Sequence, residues 1–182
     1  MLQPSEPRKP NVSVLAIDPG PLTCGVVILD RVEGSVPRIR YAAAEVPTES
    51  VMARIEEAVA AYGMPVAIEH LSCYGVDFSA VLRDTALVSG EFRLRCRQLG
   101  KEATFITRPD VKIHITQSRK TKDKDIRDAL IEKWGGETAA MGYQKIPGSK
   151  QRTPKGPLYD ISSHAWAALA LGVTFLETSP AA

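Results

Sequence analysis

NVSVLAIDPGPLTCGVVILD, residues Asn11–Asp30, is two apolar, β-rich runs separated by turn residues. Asn11–Asp18 and Cys24–Asp30 read as strands, and Pro19–Thr23 between them is turn chemistry, so the stretch predicts a β-hairpin. The first strand ends on Asp18. Taking an ionised carboxylate out of water costs on the order of several kcal/mol, so a carboxylate at the end of an apolar strand needs compensation. Either Asp18 forms an Asx-turn at Asp-Pro-Gly or it holds a cation.

Working outward, Val32–Pro37 makes a further turn and Arg38–Val46 gives a third strand, which completes an antiparallel meander. Thr48–Gly63 has a candidate N-cap in Thr48, Glu49 in the first turn and a glycine stop, so it predicts a helix. Met64–Leu71 holds a short buried strand that again ends on a carboxylate, Glu69, a poor strand residue. Ser79–Leu99, closed by Gly100, predicts a long helix before the strand Ala103–Arg108. Strands alternating with helices imply parallel additions to the sheet.

Arg108–Ile115 reads as a short helix or turn. Lys122–Gly136 is an amphipathic helix with Ile126, Ala129, Leu130 and Trp134 inward. Glu137–Gly156, rich in Gly, Lys, Gln and Pro, predicts an exposed, mobile basic loop. Pro157–Val173 closes the order as a helix with Ile161, Trp166, Ala167, Leu169, Ala170 and Val173 on its apolar face. Its first turns carry Asp160 and His164, whose i, i+4 spacing would place both on one face as two ligands for one ion. Beside hard carboxylates His164 reads as a ligand or a general base, with a packing role beside Trp166 as the lesser alternative.

At 182 residues with 44% hydrophobic and 24% charged composition, one packed domain is expected, spanning 12–178 behind a disordered Pro-rich leader, 1–11. No apolar run reaches the ~20 residues that cross a bilayer, so no membrane role is expected. Cys24, Cys73 and Cys96 form no CxxC pair, and three is a poor disulfide framework, which suits a cytoplasmic setting. The net charge is only +2, yet Arg108–Lys155 holds 12 Lys/Arg against 6 Asp/Glu, a local +6. That segment suits a polyanion partner; a solvated charged loop is the plainer alternative.

If the first and fourth strands are neighbours, Asp18 and Glu69 meet at the carboxyl edge of the sheet. Two carboxylates so close repel, and a divalent metal is the usual remedy. With Asp160 and His164 they would form an open ligand set for two Mg²⁺ or Mn²⁺ about 3.5–4 Å apart, suited to phosphodiester hydrolysis.

Val14–Asp30, Val66–Gly75, Val111-Lys112, Lys122–Ile131 and Ser162–Val173 occur in an order and spacing that resemble the RuvC-type Holliday junction resolvases of the RNase H-like superfamily. The resemblance covers about Val12 to Leu176. It implies an α/β, RNase H-like fold: a five-stranded mixed sheet, three antiparallel strands and then parallel additions, flanked by helices. It also implies a two-metal endonuclease that acts as a homodimer on four-way DNA junctions. Asp18 and Glu69 match the family's first-strand Asp and fourth-strand Glu. His164 falls where the last helix carries Asp or His. Lys112 and Lys122 are similar in position to basic residues near the scissile phosphate.

Family members usually carry a further Asp three residues after the His164 position, where this chain has Ala167. Asp160 is the candidate replacement. Arg108, Lys112, Arg119, Lys120, Lys122 and Lys124 would neutralise phosphates around the acids. Tyr74 and Phe78 are candidates either for stacking on unpaired bases or for core packing. The resemblance makes Ser79–Cys96 the expected dimer surface. Three rivals stand beside this reading. One is an RNase H-like nuclease on another nucleic acid, and one is a catalytically dead junction binder. The third is an actin-like ATPase, suggested by Asp18–Thr23, although that superfamily needs two lobes to enclose ATP and one is present here.

Overall fold

The computed structural model describes residues 12–71 and 79–179. Five strands form one mixed sheet in the order β3-β2-β1-β4-β5. β1 (Ser13–Asp18), β2 (Thr23–Asp30) and β3 (Arg38–Pro47) are the antiparallel meander. β4 (Val66–His70) joins β1 in parallel, and β5 (Thr104–Thr107) joins β4 in parallel. The sheet expected from the sequence is therefore the sheet observed.

Strand alternation divides the core into two layers. Leu15, Ile17, Val66 and Ile68 face one side. There they meet α1 (Thr48–Glu56), its π-helical continuation Glu57–Ala61, and α2 (Ala80–Gln98) through Val51, Ile55, Phe92 and Cys96. Val14, Ala16, Val27, Leu29 and Ala67 face the other, against α4 (Asp123–Lys133), α5 (Gly136–Ala140) and α6 (Ser163–Thr178). α3 (Arg108–Thr116) contributes Val111 to that second layer. Asp18 continues the parity of Val14 and Ala16, and Glu69 that of Ala67. Both acids thus project to the α6 side.

Local rules explain most ends. The Thr107 hydroxyl accepts from the Asp110 amide at 3.3 Å, and Pro109 sits in the first turn of α3, where its missing N–H costs nothing. Gln117 ends that helix in the left-handed region, at φ 58°. Ser79 caps α2 by accepting from Leu82 N at 3.2 Å.

Three expectations need correction. Thr48 is the first residue of α1, preceded by Pro47, and makes no cap. The stretch 137–156, expected as one exposed basic loop, begins inside α5 and then doubles back through the isolated bridges Gly142↔Lys155 and Lys145↔Arg152. The last helix starts at Ser163, not Pro157. Leu158 is fully buried, and its amide donates to the Ala140 carbonyl at 2.8 Å, which commits 157–160 to a turn before the helix can begin. Asp160 and His164 consequently do not share a helix face. Tyr74 and Phe78 lie outside the described residues.

α6 packs on the sheet through small residues. Ala165, Ala168 and Gly172 are buried along it. A Cβ on Gly172 would come to 2.7 Å from Leu29 Cδ1 and 3.1 Å from Ala16 Cβ. A Cβ on Gly25 of β2 would overlap the His164 carbonyl and stand 2.9 Å from the His164 Cβ. Gly25→Ala therefore displaces backbone, whereas Gly172→Ala presses mainly on a movable leucine tip. Chemical denaturation should show Gly25→Ala costing about 1–3 kcal/mol or more and Gly172→Ala clearly less. Equal losses would refute this account of the α6 contact.

Candidate active site

Parallel pairing sets Ile17 opposite Ile68, so the next residues, Asp18 at the end of β1 and Glu69 one residue before the end of β4, stand side by side. Antiparallel pairing sets Asp18 opposite Gly25. Because Gly25 lacks a side chain, the first turn of α6 comes down onto β2 at this point. His164 then reaches the acid: its Nδ1 lies 2.9 Å from Asp18 Oδ2, and an Nδ1–H donates to that carboxylate. This tautomer leaves Nε2 as the ring nitrogen able to accept a proton.

The site is a cleft of about 460 Å³ lined by these three residues with Arg108, Asp123, Arg127, Trp166 and Ala167 among others. Asp18 and Glu69 are largely covered, with side chains 15% and 13% exposed. Burial raises the Asp18 pKa, against the opposing pull of the His164 hydrogen bond and charge. Glu69 is pushed up to about 7 by burial first and by the neighbouring Asp18 charge second, with Arg108 pulling the other way. The pair is strained electrostatically as it stands.

Asp30, the acid that ends β2, makes a useful contrast. It is only 3% exposed, yet Ser13 Oγ donates to it at 2.7 Å and Arg38 at 2.7 Å, with Arg40 at 3.6 Å. Burial alone would raise its pKa; those donors outweigh burial and lower it. Asp30 is a satisfied structural acid. Asp18 and Glu69 are under-compensated, the state expected of groups kept for binding or catalysis.

What compensation they have comes from Arg108 at the start of α3. Its guanidinium donates to Glu69 Oε2 at 3.3 Å and to Asp123 Oδ1 at 2.7 Å. The Asp123 pKa is lowered, chiefly by that hydrogen bond. Asp123 was not singled out from the sequence: an acid at the start of a helix reads as a partner of the helix dipole, and no local pattern separates the two roles. Arg127, one turn further along α4, was also unforeseen. It lies 5.0 Å over the Trp166 ring and lines the cleft.

The other expected residues divide by geometry. Lys112 on α3 is half-buried, and its charge reaches Asp123. Lys122 precedes α4 and is exposed; Lys124 is exposed and pairs with Asp128 at 3.1 Å. Arg119 and Lys120 are exposed in the turn between α3 and α4. Asp160 is not brought to the cleft. Its side chain is 76% exposed and bound by Lys155 Nζ at 3.0 Å, while Ala167 lines the cleft with no acid to offer.

A hard divalent cation fits the donor chemistry of Asp18 and Glu69, two crowded carboxylates whose repulsion it would relieve. Among the described residues, no group of three or more His, Cys, Asp or Glu side chains stands ready as a closed metal cage. Arg108 occupies the cationic role between Glu69 and Asp123 instead. No helix among the described residues is long and apolar enough to cross a membrane.

No protein-family model and no curated protein sequence matches the chain. Solved structures do. Thermus thermophilus RuvC in complex with a Holliday junction substrate matches with a TM-score of 0.63 at 15% identity, covering 91% of this chain and 93% of that one. Thermus thermophilus RuvC alone matches at 0.62 and 18% identity, with 90% and 93% covered. The yeast mitochondrial Holliday junction resolvase Ydc2 matches at 0.52 and 7%, with 94% and 82% covered. With its strand order and flanking helices, the chain has the RNase H-like fold in the form found in RuvC-type Holliday junction resolvases.

Proposed function

We propose that the protein is a metal-dependent endonuclease that cuts four-way DNA junctions with paired, symmetric nicks. One observation carries the reading: Asp18 and Glu69 lie side by side at the carboxyl edge of a RuvC-type sheet, with His164 of the last helix hydrogen-bonded to Asp18. The T. thermophilus RuvC structure that matches this fold holds a Holliday junction substrate, which supports the choice of DNA.

In this reading Asp18 and Glu69 hold Mg²⁺ or Mn²⁺, with His164 and Asp123 at the margin of the set. Bound there, the metal supplies a nucleophilic water and neutralises charge on the phosphate. The chain's own groups do the rest. Asp18 fixes the His164 ring through Nδ1, which leaves Nε2 to take a proton from the attacking water. Arg127 and Lys112 bring positive charge to the approaching backbone, and Arg119, Lys120, Lys122 and Lys124 extend it along the α3–α4 turn. Arg108 donates to Glu69 and Asp123 in this structure, and where a cation took over Glu69 its fork would be free to donate to a phosphate oxygen. Contacts of this kind carry no base information, so selection would rest on junction shape.

The symmetry of the reaction calls for two copies. α2 offers a face for that: Leu87 and Leu94 are 62% and 56% exposed, and Gly90 lies between them with nothing within 4 Å of its would-be Cβ. Glycine inside an exposed helix costs about 1 kcal/mol relative to alanine and helps nothing within the protomer. A second α2 crossing at Gly90 accounts for it. Sedimentation should show a dimer that Leu87→Glu or Gly90→Leu converts to monomer without loss of fold; a wild-type monomer would remove the symmetric mechanism.

A second reading is favoured by Ala167, which lines the cleft where the family usually has an acid. It is a junction binder with little or no cleavage. Incubation with a mobile four-way junction and with linear duplex, with and without Mg²⁺ or Mn²⁺, separates the two. Nicks near the crossover support the nuclease, and metal-independent binding without nicks supports the binder. Asp18→Asn and Glu69→Gln should cut cleavage by more than about 100-fold while preserving junction affinity, because even outer partners of a metal site are worth about 10–100-fold. Asp160→Asn should leave metal binding intact.

The Glu69 pKa gives a thermodynamic check. Burial and the Asp18 charge push the Glu69 pKa up from the ordinary 4.5 to about 7, so the folded chain holds this proton more tightly than the unfolded one. Its contribution to stability is thus full below pH 4.5 and lost as pH rises through about 7. At pH 8, Glu69→Gln should stabilise the metal-free protein by on the order of 1–3 kcal/mol, less what the lost Arg108 pairing contributes. At pH 4, below the unfolded value, the effect should nearly vanish. Thermal unfolding at the two pH values decides it, and added Mn²⁺ should raise the wild-type melting temperature more at pH 8 than at pH 5.5.

A further inference from the structure

The segment between α5 and α6 stands apart from the cleft in charge and form. From Met141 to Tyr159 it carries Lys145, Lys150, Arg152 and Lys155 and no acidic residue. It is folded: the Gly142↔Lys155 and Lys145↔Arg152 bridges pair its two limbs, and Tyr143 N donates to the Pro154 carbonyl at 3.0 Å. Its base is fixed to the core by Leu158, which is fully buried, and by the Gly156 amide donating to the Met141 carbonyl at 2.8 Å. The Asp160–Lys155 ion pair ties one limb to the segment that leads into α6, four positions before His164.

Two aromatic rings organise the cations. Tyr143 and Tyr159 meet edge to face at 5.1 Å. The Arg152 guanidinium lies 4.8 Å over the Tyr143 ring and donates to the Tyr143 carbonyl at 3.1 Å; Lys155 Nζ lies 4.4 Å over Tyr159. Tyr143 itself sits in the left-handed region at φ 57°, a strained place for a non-glycine residue. The ring is held there, 41% exposed, with the guanidinium on it. Lys145 and Lys150 are exposed and make no salt bridge among the described residues. Arg152 and Lys155 are held over rings, and Lys145 and Lys150 project from a backbone already paired by the two bridges; positive charge carried in this way is suited to a phosphate backbone, because little backbone ordering entropy remains to be lost.

We propose that the 142–155 hairpin is a DNA-gripping finger, with Lys145, Lys150 and Arg152 contacting the phosphates of a junction arm that leads into the cleft. Lys155 is a positioning residue, held by Asp160, that sets the finger relative to α6. The choice of DNA rests on the nuclease reading above; the finger itself rests on the charge, the aromatic scaffold and the anchored base.

The test measures binding of the full-length protein to a labelled four-way junction and to linear duplex, without divalent metal, across a range of salt. The combined Lys145→Gln, Lys150→Gln variant should weaken junction binding about tenfold or more and reduce the slope of log affinity against log salt by about two. The melting temperature should be unchanged, since both side chains are exposed. Lys101→Gln, at the amino end of β5, should change nothing. Wild-type affinity and slope in the double variant would overturn the finger while leaving the nuclease reading intact. Tighter binding of the same arms made in RNA would overturn DNA as its partner. Failure of the wild-type protein to bind any of these nucleic acids would remove the finger and the nuclease reading together.

Discussion

The missing side chain of Gly25 is the constraint on which the site depends. It allows the first turn of α6 to rest directly on β2, at the point where β2 pairs with Asp18. That one close approach brings His164 to the Asp18 carboxylate and opens the amino end of α6 onto the cleft. Ala165, Ala168 and Gly172 continue the same economy of volume along the helix, so that α6 lies close to the sheet over much of its length. At Gly25 the contact is rigid because the His164 backbone, rather than a flexible side chain, meets β2. His164, carried on α6, is placed by the core, not by a loop.

Electrostatics pull against stability at this edge of the sheet. Asp30 shows how the chain neutralises a buried acid when structure is the only aim, with a hydroxyl and two arginines around it. Asp18 and Glu69 receive less: one histidine, and one arginine shared with Asp123. The residual repulsion makes the pair receptive to a cation. Arg108 moderates the cost in its absence, and a guanidinium is suited to this because it stays charged when partly buried.

The two crowded acids were legible because each closes an apolar run. Apolar runs that stop on Asp18 and Glu69 break local propensity, and a violated local rule is where function tends to sit. Gly25 left a similar trace, a glycine inside the run Cys24–Asp30, where it packs nothing and marks a close backbone approach. Asp160 misled for a physical reason: the i, i+4 relation to His164 holds only if the helix includes both, and burial of Leu158 delays the helix to Ser163. Asp123, Arg127 and the bridging by Arg108 had no sequence signature, since each depends on how α3 and α4 pack beside a distant strand end.

The sequence by itself determined the strand and helix order, the mixed sheet and the two acids at its carboxyl edge. These follow from periodicity, turn residues and polarity, which act over a few residues. Only the tertiary structure decided which other groups complete the cleft. It admitted His164, Asp123, Arg108 and Arg127, excluded Asp160, and folded 142–155 into a cationic hairpin. Those outcomes are set by non-local packing: a helix start moved by one buried leucine, a glycine that lets α6 descend, and an arginine that finds two carboxylates 39 and 15 positions away in the chain.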